Sequence, residues 1–345
     1  MNNQKMINGL YARCDWLEFT ITELNSELSS YRNVEYYLHI LGLSVDLFDI
    51  LDRGGFGYKS QMRHMYENIF VYYDGNDDMG IHVRISGTAV TYVLKMFLEY
   101  HSCDTPFGKG YFIGDYDTNN IFPMFLKRVF DFGHFTRIDL ALDDVGAEYF
   151  SVQDVLNILE SGSCVCKFKK WENIKGNSFS GNCNGHTIYM GSRQSDVFLR
   201  VYEKALEQGF DEIKWTRWEL EIKHEKADAV AQQLVDNSDF GYVTMGILKQ
   251  YIRFVNIDNN RRSLCSVNPI WEKFTENVEK LRLYVPERNK SVDDKRIWIE
   301  RQCMPTIAGL FKANGGKAFF DDDDLKKHYD RLKEKDRRLF EGVAS

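Results

Sequence analysis

From Val197 to Glu203 the chain reads VFLRVYE, with Val197, Leu199 and Val201 on one side and Phe198, Arg200 and Tyr202 on the other. Strict period-two alternation of this kind predicts a strand with one buried face. Three further segments share it. In RIDLALD (137–143), Ile138, Leu140 and Leu142 oppose Arg137, Asp139, Ala141 and Asp143. In RWELEIK (217–223), Trp218, Leu220 and Ile222 oppose Arg217, Glu219, Glu221 and Lys223. In IHVRIS (81–86), Ile81, Val83 and Ile85 oppose His82, Arg84 and Ser86. Residues 14–21 and 186–192 also read as strands, and 68–87 as a hairpin around its Gly/Asn/Asp cluster.

Helical spacing predicts helices over 33–43, 89–100, 122–132 and 151–162, the last with a Ser151 to Asp154 capping box and a glycine stop. After Lys223 the character changes. KADAVAQQLVDN, VTMGILKQYI, IWEKFTENVEKLRLY and SVDDKRIWIERQCMPTIAGLF all carry helical spacing. A final helix starts in DDDDLKK and ends in EKDRR, acids first and bases last, as the helix dipole favours. The expected fold is α+β: a largely antiparallel sheet with flanking helices over residues 1–225 and a mostly helical region over 226–345.

Composition narrows this picture little. With 345 residues, 43% of them hydrophobic and 14% aromatic, the chain can bury a substantial core. No apolar run is long enough for a membrane span, and the first residues lack a signal peptide's apolar centre. Seven cysteines at irregular spacing suit reduced thiols in a cytoplasm. Cys164 and Cys166 form a C-x-C pair without a second pair or nearby histidine, and read as buried thiols. The net charge of −7 argues against indiscriminate nucleic-acid binding. Local basic clusters leave a site-specific DNA protein open: KFKKWENIK with Lys169 and Lys170, NNRRS with Arg261 and Arg262, and the runs at 287–296 and 326–338.

Carboxylates at alternate positions of two strands repel one another unless a cation lies between them. A divalent ion such as Mg²⁺ or Mn²⁺ is one solution, and could polarise a phosphoryl oxygen. A tyrosine beside such a site attacks poorly unless a cation or base favours its phenolate. Attack on DNA would leave a phosphotyrosine link that stores the phosphodiester energy for rejoining. The bland alternative is a wet sheet face laced with cross-strand ion pairs. Other chemistries lack their motifs. There is no Walker loop and no G-x-S-x-G, the histidines form no H-x-H or H-E-x-x-H, and RGGFG (53–57) reads as a turn.

RIDLALDD, TIYMGSRQSDVFLRVYEKALEQG and RWELEIKHEKA, in that order and spacing, resemble the trans-acting replication initiation factors. These serve rolling-circle plasmids, filamentous phages, and integrative and conjugative elements. DWLEFTI and GIHVRISGTAV look like the family's upstream strands, and SVDDKRIWIERQCMPTIAGL resembles the C-terminal helix of the conjugative-element relaxases. The resemblance implies a metal-dependent DNA strand transferase that nicks an origin, with Tyr202 as nucleophile. It implies metal ligands at Asp139 and Glu219, with Glu221 and Asp143 on the right faces to join them. Arg137, Arg200, Lys204 and Lys223 would neutralise phosphate, and Arg84, Lys169, Lys170, Arg261 and Arg262 are further candidate DNA contacts. The implied partners are origin DNA with an exposed single strand, a host helicase and polymerase, and a second copy of the chain in a homodimer. Where the family places Val or Leu between the Arg and Glu of the third strand, this chain has Trp218, which keeps the alternation. A DNA-binding regulator without catalysis and a nuclease that does not rejoin are the rival readings.

Overall fold

The computed structural model describes residues 9–102, 118–177, 179, 183–209, 213–237, 239–275, 292, 296, 299–318, 320–332 and 337. Its strands are β1 (Gly9–Ile21), β2 (Phe48–Leu51), β3 (Ser60–His64), β4 (Ile69–Tyr73), β5 (Ile81–Ser86), β6 (Gly133–Val145), β7 (Cys164–Cys166), β8 (Trp171–Asn177), β9 (Cys183–Met190), β10 (Val197–Glu203), β11 (Trp215–Lys223) and β12 (Ile252–Phe254). Ten of them form one sheet in the order β2-β3-β4-β5-β1-β6-β11-β10-β9-β8, each pair antiparallel. β7 and β12 pair separately. The expected strands and the 68–87 hairpin are present. At its turn Gly80 has φ +65°, and a Cβ there would lie 2.1 Å from the Ile21 carbonyl oxygen, which only glycine avoids.

The apolar half of each alternation faces one way. Leu17, Phe19 and Ile21 of β1, Ile138, Leu140 and Leu142 of β6, Trp218, Leu220 and Ile222 of β11 and Val197, Leu199 and Val201 of β10 are all buried in one core. Helices cover that face: α1 (Ser30–Ile40), α2 (Thr88–Ser102), α3 (Thr118–Phe130), α4 (Val152–Glu160), α6 (Glu225–Asp236) and α7 (Phe240–Tyr251), with the one-turn α5 (Lys204–Glu207) at the end of β10. The Ser151 and Asp154 capping box forms, and Gly162 follows with φ +68°. Trp218 packs with Phe150, Phe254, Trp271 and Phe274, ring centroids 5.3–6.1 Å apart, which ties β12 and α8 (Pro269–Phe274) to the sheet. The bulky residue between Arg217 and Glu219 therefore works on the helix side only.

The chain forms two compact units, residues 1–285 and 286–345. The boundary expected at 225/226 falls inside the first. Ala227, Val230, Ala231 and Leu234 of α6 and Val243, Ile247 and Leu248 of α7 are buried in the sheet's own core. Helical spacing marks a helix but not the surface it covers. Of the helix expected over 270–284, α8 accounts for the start and residues 276–284 lie outside the described ones. In the second unit, a π-turn at Ile299–Cys303 leads into α9 (Met304–Ala313). There α10 (Asp322–Asp330) begins with three acids and a capping box between Asp321 and Asp324; residues 333–336 and 338, into which this helix was expected to run, lie outside the description. Among the described residues no helix is long and apolar enough to cross a membrane.

The C-x-C expectation needs correction. Cys166 is exposed and Cys164 half-buried, because three-residue β7 lies outside the large sheet, whereas Cys265 is buried. A hydrogen bond from Cys164 brings the Cys166 thiol down to about 6, and burial drives Cys14 well above the usual thiol range. At pH 7, iodoacetamide should therefore label Cys166 several-fold faster than Cys14 or Cys265, and Cys164→Ala should slow that labelling; peptide mass spectrometry over a time course reads both.

Candidate active site

On the face opposite the helices, strand register converts four separate alternations into rows. Tyr202 lies beside Arg217, which lies beside Asp143 and then Tyr11. The next row runs Arg200, Glu219, Ala141, Arg13, and the one after it Phe198, Glu221, Asp139, Trp16. A fourth runs Lys223, Arg137, Glu18, Arg84. Residues directly opposite on neighbouring strands have Cβ atoms about 5 Å apart, so acids and bases far apart in sequence meet here.

The centre of this patch is a hydrogen-bonded cluster. The Tyr202 hydroxyl donates to Glu219 Oε2 at 2.8 Å. Arg200 Nη2 bonds Glu219 Oε1, and donates to Asp139 Oδ2 at 3.1 Å. Arg137 grips Asp139 through Nε at 2.8 Å and Nη2 at 2.7 Å, and reaches Glu221 at 3.0 Å. Lys223 Nζ closes the cluster on Glu221 Oε1 at 2.7 Å. Asp139 is fully buried, Glu219 and Glu221 nearly so, and Tyr202 and Arg200 are half-buried at the open face. Six of the expected site residues, Arg137, Asp139, Arg200, Glu219, Glu221 and Lys223, therefore join one network that reaches Tyr202 through Glu219.

Burial and the adjacent Glu219 hold the Tyr202 phenol well above its ordinary value, so it rests protonated with its proton directed at a carboxylate. Burial, helped by Glu219, pushes Asp139 up to about 7 against the pull of Arg137 and Arg200. Burial opposes the charge on Arg137, yet Asp139 and Glu221 keep that guanidinium above its usual value. Lys204 is buried at the start of α5, with its ammonium 5.6 Å from the Tyr202 ring centroid and paired with Glu207.

Asp143 does not join the other acids. It accepts from Arg217 Nε at 2.6 Å and Nη2 at 2.8 Å, and from Trp215 Nε1 at 2.8 Å, with Arg13 at 3.0 Å. Arg217, 1% exposed, also holds Asp15 at 2.8 Å. The i, i+4 spacing from Asp139 put Asp143 on the correct face but two rows away, beside a buried arginine. The remaining basic candidates are dispersed. Arg84 lies over Trp16 and 3.6 Å from Glu18. Lys169 and Lys170 line a cleft of about 570 Å³ with Lys167, Lys226 and Ser195. Arg261 and Arg262 occupy an exposed turn after β12, Arg262 against Gly162, and neither joins the Tyr202 cluster among the described contacts.

Sequence reasoning missed the contribution of β1. Asp15 is an extra residue in the β1–β6 pairing, where the register shifts between Cys14 and Trp16. This bulge reverses the parity of the strand, so that Trp16 and Glu18 face the site while Leu17 and Phe19 enter the core. The polar-aromatic-apolar-polar run DWLE was the one available signal.

The cation seat expected at Asp139, Glu219 and Glu221 is not formed in this arrangement. Both oxygens of each carboxylate already accept from Arg137, Arg200, Lys223 or Tyr202. Among the described residues no group of three His, Cys, Asp or Glu side chains could hold a metal ion. The positive charge between the carboxylates is guanidinium.

Residues 133–327 match the family model described as replication initiation factor, and residues 14–104 match the N-terminal domain of rolling circle replication initiation proteins. A candidate DNA relaxase of Bacillus subtilis (strain 168), NicK, is 29% identical over 292 residues, 82% of this chain and 77% of NicK. The structure of a rolling circle replication initiator protein from Geobacillus stearothermophilus superposes with a TM-score of 0.63 at 28% identity, covering 80% of this chain and 99% of the initiator.

Proposed function

The chain belongs to the replication initiation factor family, and from that premise we propose that it nicks and rejoins DNA at a replication or transfer origin through a covalent bond to Tyr202. One observation carries the reading: a protonated phenol, hydrogen-bonded at 2.8 Å to a carboxylate beside a guanidinium, on the open face of a sheet. A phenol held this firmly protonated needs a base at the moment of attack, and Glu219 is in contact with its proton. The Tyr202 oxygen attacks the scissile phosphorus, Glu219 takes the phenolic proton, and the bond from phosphorus to the 3′ oxygen breaks. The 5′ phosphate stays on the enzyme, and the 3′ oxygen leaves with the bonding pair and takes a proton from water, giving a hydroxyl that can prime synthesis. Reversal of the same steps reseals a strand without an outside energy source.

Arg200 is placed to bind the phosphate. Its Nη2 bridges Glu219 and Asp139, while its Nε is buried with no hydrogen-bond partner, a donor that a phosphoryl oxygen would satisfy. Arg137 sits two rows from Arg200 and shares Asp139 with it. The dependence on Mg²⁺ or Mn²⁺ that the resemblance implies is a separate, measurable property. Whether the nick starts plasmid copying or conjugative transfer depends on the origin, which the substrate DNA identifies.

The test is incubation of the full chain with single-stranded fragments of the DNA around its own gene, with and without magnesium, followed by a denaturing gel. A labelled band at the mass of protein plus oligonucleotide is expected. Binding without that band would leave a DNA-binding regulator, and cut DNA free of protein a simple nuclease. Glu219→Gln, which keeps the shape and loses the base, is expected to slow adduct formation by about 10²- to 10⁴-fold. If it instead raises only the magnesium needed for half-maximal rate, Glu219 is a metal ligand in the working complex.

A further inference from the structure

The open face does not end at the catalytic cluster. On β1 the Trp16 ring has two guanidinium neighbours, Arg137 at 4.3 Å and Arg84 at 4.5 Å from its centroid, and its Nε1 donates to Glu18 at 2.7 Å. Arg84 is also 5.8 Å from the Phe70 ring on β4, which has Arg63 at 5.6 Å and lies parallel to Tyr72 at 6.4 Å. Tyr72 adjoins His82 at 5.9 Å, and His82 in turn stacks with Tyr58 at 6.4 Å and meets Thr20 Oγ1 at 3.1 Å. The 53–57 loop folds over Tyr72 and ends the row with Phe56, whose ring meets Tyr72 edge-on at 5.1 Å and is 68% exposed. Phe56 is held at φ +55°, a backbone state costly for an aromatic residue.

We propose that this row is a stacking track for unpaired nucleotides flanking the scissile phosphate, with Trp16 and Arg84 as its inner step and Phe56 as its outer one. The proposal rests on the nicking reading and adds where the single strand lies. Rings alternating with guanidinium groups are what a sequence-tolerant single-strand grip requires: flat faces for bases and cations for the phosphates between them. Six adjacent strands, β10 through β4, separate Tyr202 from the outer end, roughly 24 Å at ~4.8 Å per strand. That is room for several nucleotides. Tyr72, 3% exposed, and Tyr58 lie buried and back the row, so the faces a base can reach are those of Trp16, Phe70 and Phe56. Trp16 and Phe70 are held by their neighbours, so little ordering entropy opposes stacking on them.

The test uses the full chain and fluorescein-labelled oligothymidylates of 4, 8, 12 and 16 nucleotides, with affinity read by fluorescence anisotropy. The wild type is expected to bind longer strands more tightly until the track is filled. Phe56→Gly removes only an exposed ring at a backbone angle glycine adopts freely, and should weaken binding of the long strands roughly tenfold while leaving the 4-mer unchanged. Trp16→Leu should weaken every length, and Trp16→Phe should restore most of the loss. Unchanged affinity at every length in both Phe56→Gly and Trp16→Leu would overturn the track. The adduct assay keeps the two readings apart. A wild type that forms no adduct yet shows the Phe56-dependent rise with length loses the nicking reading and retains the track. Adduct formation with length dependence indifferent to Phe56 does the reverse.

Discussion

Replacing Tyr202 by phenylalanine is expected to eliminate the covalent protein–DNA band and lower nicking by on the order of 10⁴-fold or more, the scale seen when a covalent nucleophile is removed. Binding should survive within a few-fold, because the ring stays packed and Arg200 still bonds Glu219. Loss of one hydrogen bond to Glu219 should cost about 1 kcal/mol of stability. A denaturing gel on labelled substrate, paired with anisotropy on the same oligonucleotide, reads both numbers. Another tyrosine offers the internal alternative: Tyr11 lies in the same row of the sheet, beyond Asp143, and is 43% exposed. If Tyr202→Phe still forms the adduct and Tyr11→Phe does not, the nucleophile has been assigned to the wrong end of the row.

The second large effect falls on stability. Asp143→Ala is expected to cost about 3–5 kcal/mol, because it leaves Arg217 buried with only Asp15 to neutralise it and deprives Trp215 Nε1 of its acceptor. The urea midpoint should fall with little change in slope. Asp143→Asn, which keeps an oxygen for Trp215, should cost less. Had Asp143 served as a metal ligand, removing it would shift metal dependence and leave the urea midpoint nearly unchanged. By contrast, breaking an exposed pair such as Lys170 and Glu172 should leave the urea midpoint nearly unchanged.

Period-two alternation made the central sheet legible because one face is buried throughout and a one-residue slip would turn every apolar side chain outward. For the same reason Arg200, Tyr202, Glu219, Glu221, Asp139 and Arg137 could be placed on a shared face before any coordinates. Alternation says nothing about which rows align, and row alignment is what gave Asp143 to Arg217 rather than to Asp139. Nor does it survive a bulge. Asp15 breaks the parity of β1, so Trp16 and Glu18 could not be assigned to the site from their spacing. The β2–β3 hairpin and β8 went unread because their outward faces mix polar and exposed apolar residues, Ile50, Trp171 and Ile174 among them. The helices after Lys223 were found as helices but set apart as a region of their own, since helical spacing does not show that the core they complete is the sheet's, built from β1, β6 and β11.

The ion pairs of the open face leave it close to electroneutral: Asp15, Glu18, Asp139, Asp143, Glu219 and Glu221 are matched by Arg13, Arg84, Arg137, Arg200, Arg217 and Lys223. The formal excess of −7 is therefore carried elsewhere on the chain. Most of the guanidinium groups here are already paired, so most of those that turn to a phosphate must loosen a carboxylate contact. Few condensed counterions are then released per contact, and affinity should decline with added salt less steeply than the roughly −0.7 per phosphate expected of free cations on a single strand.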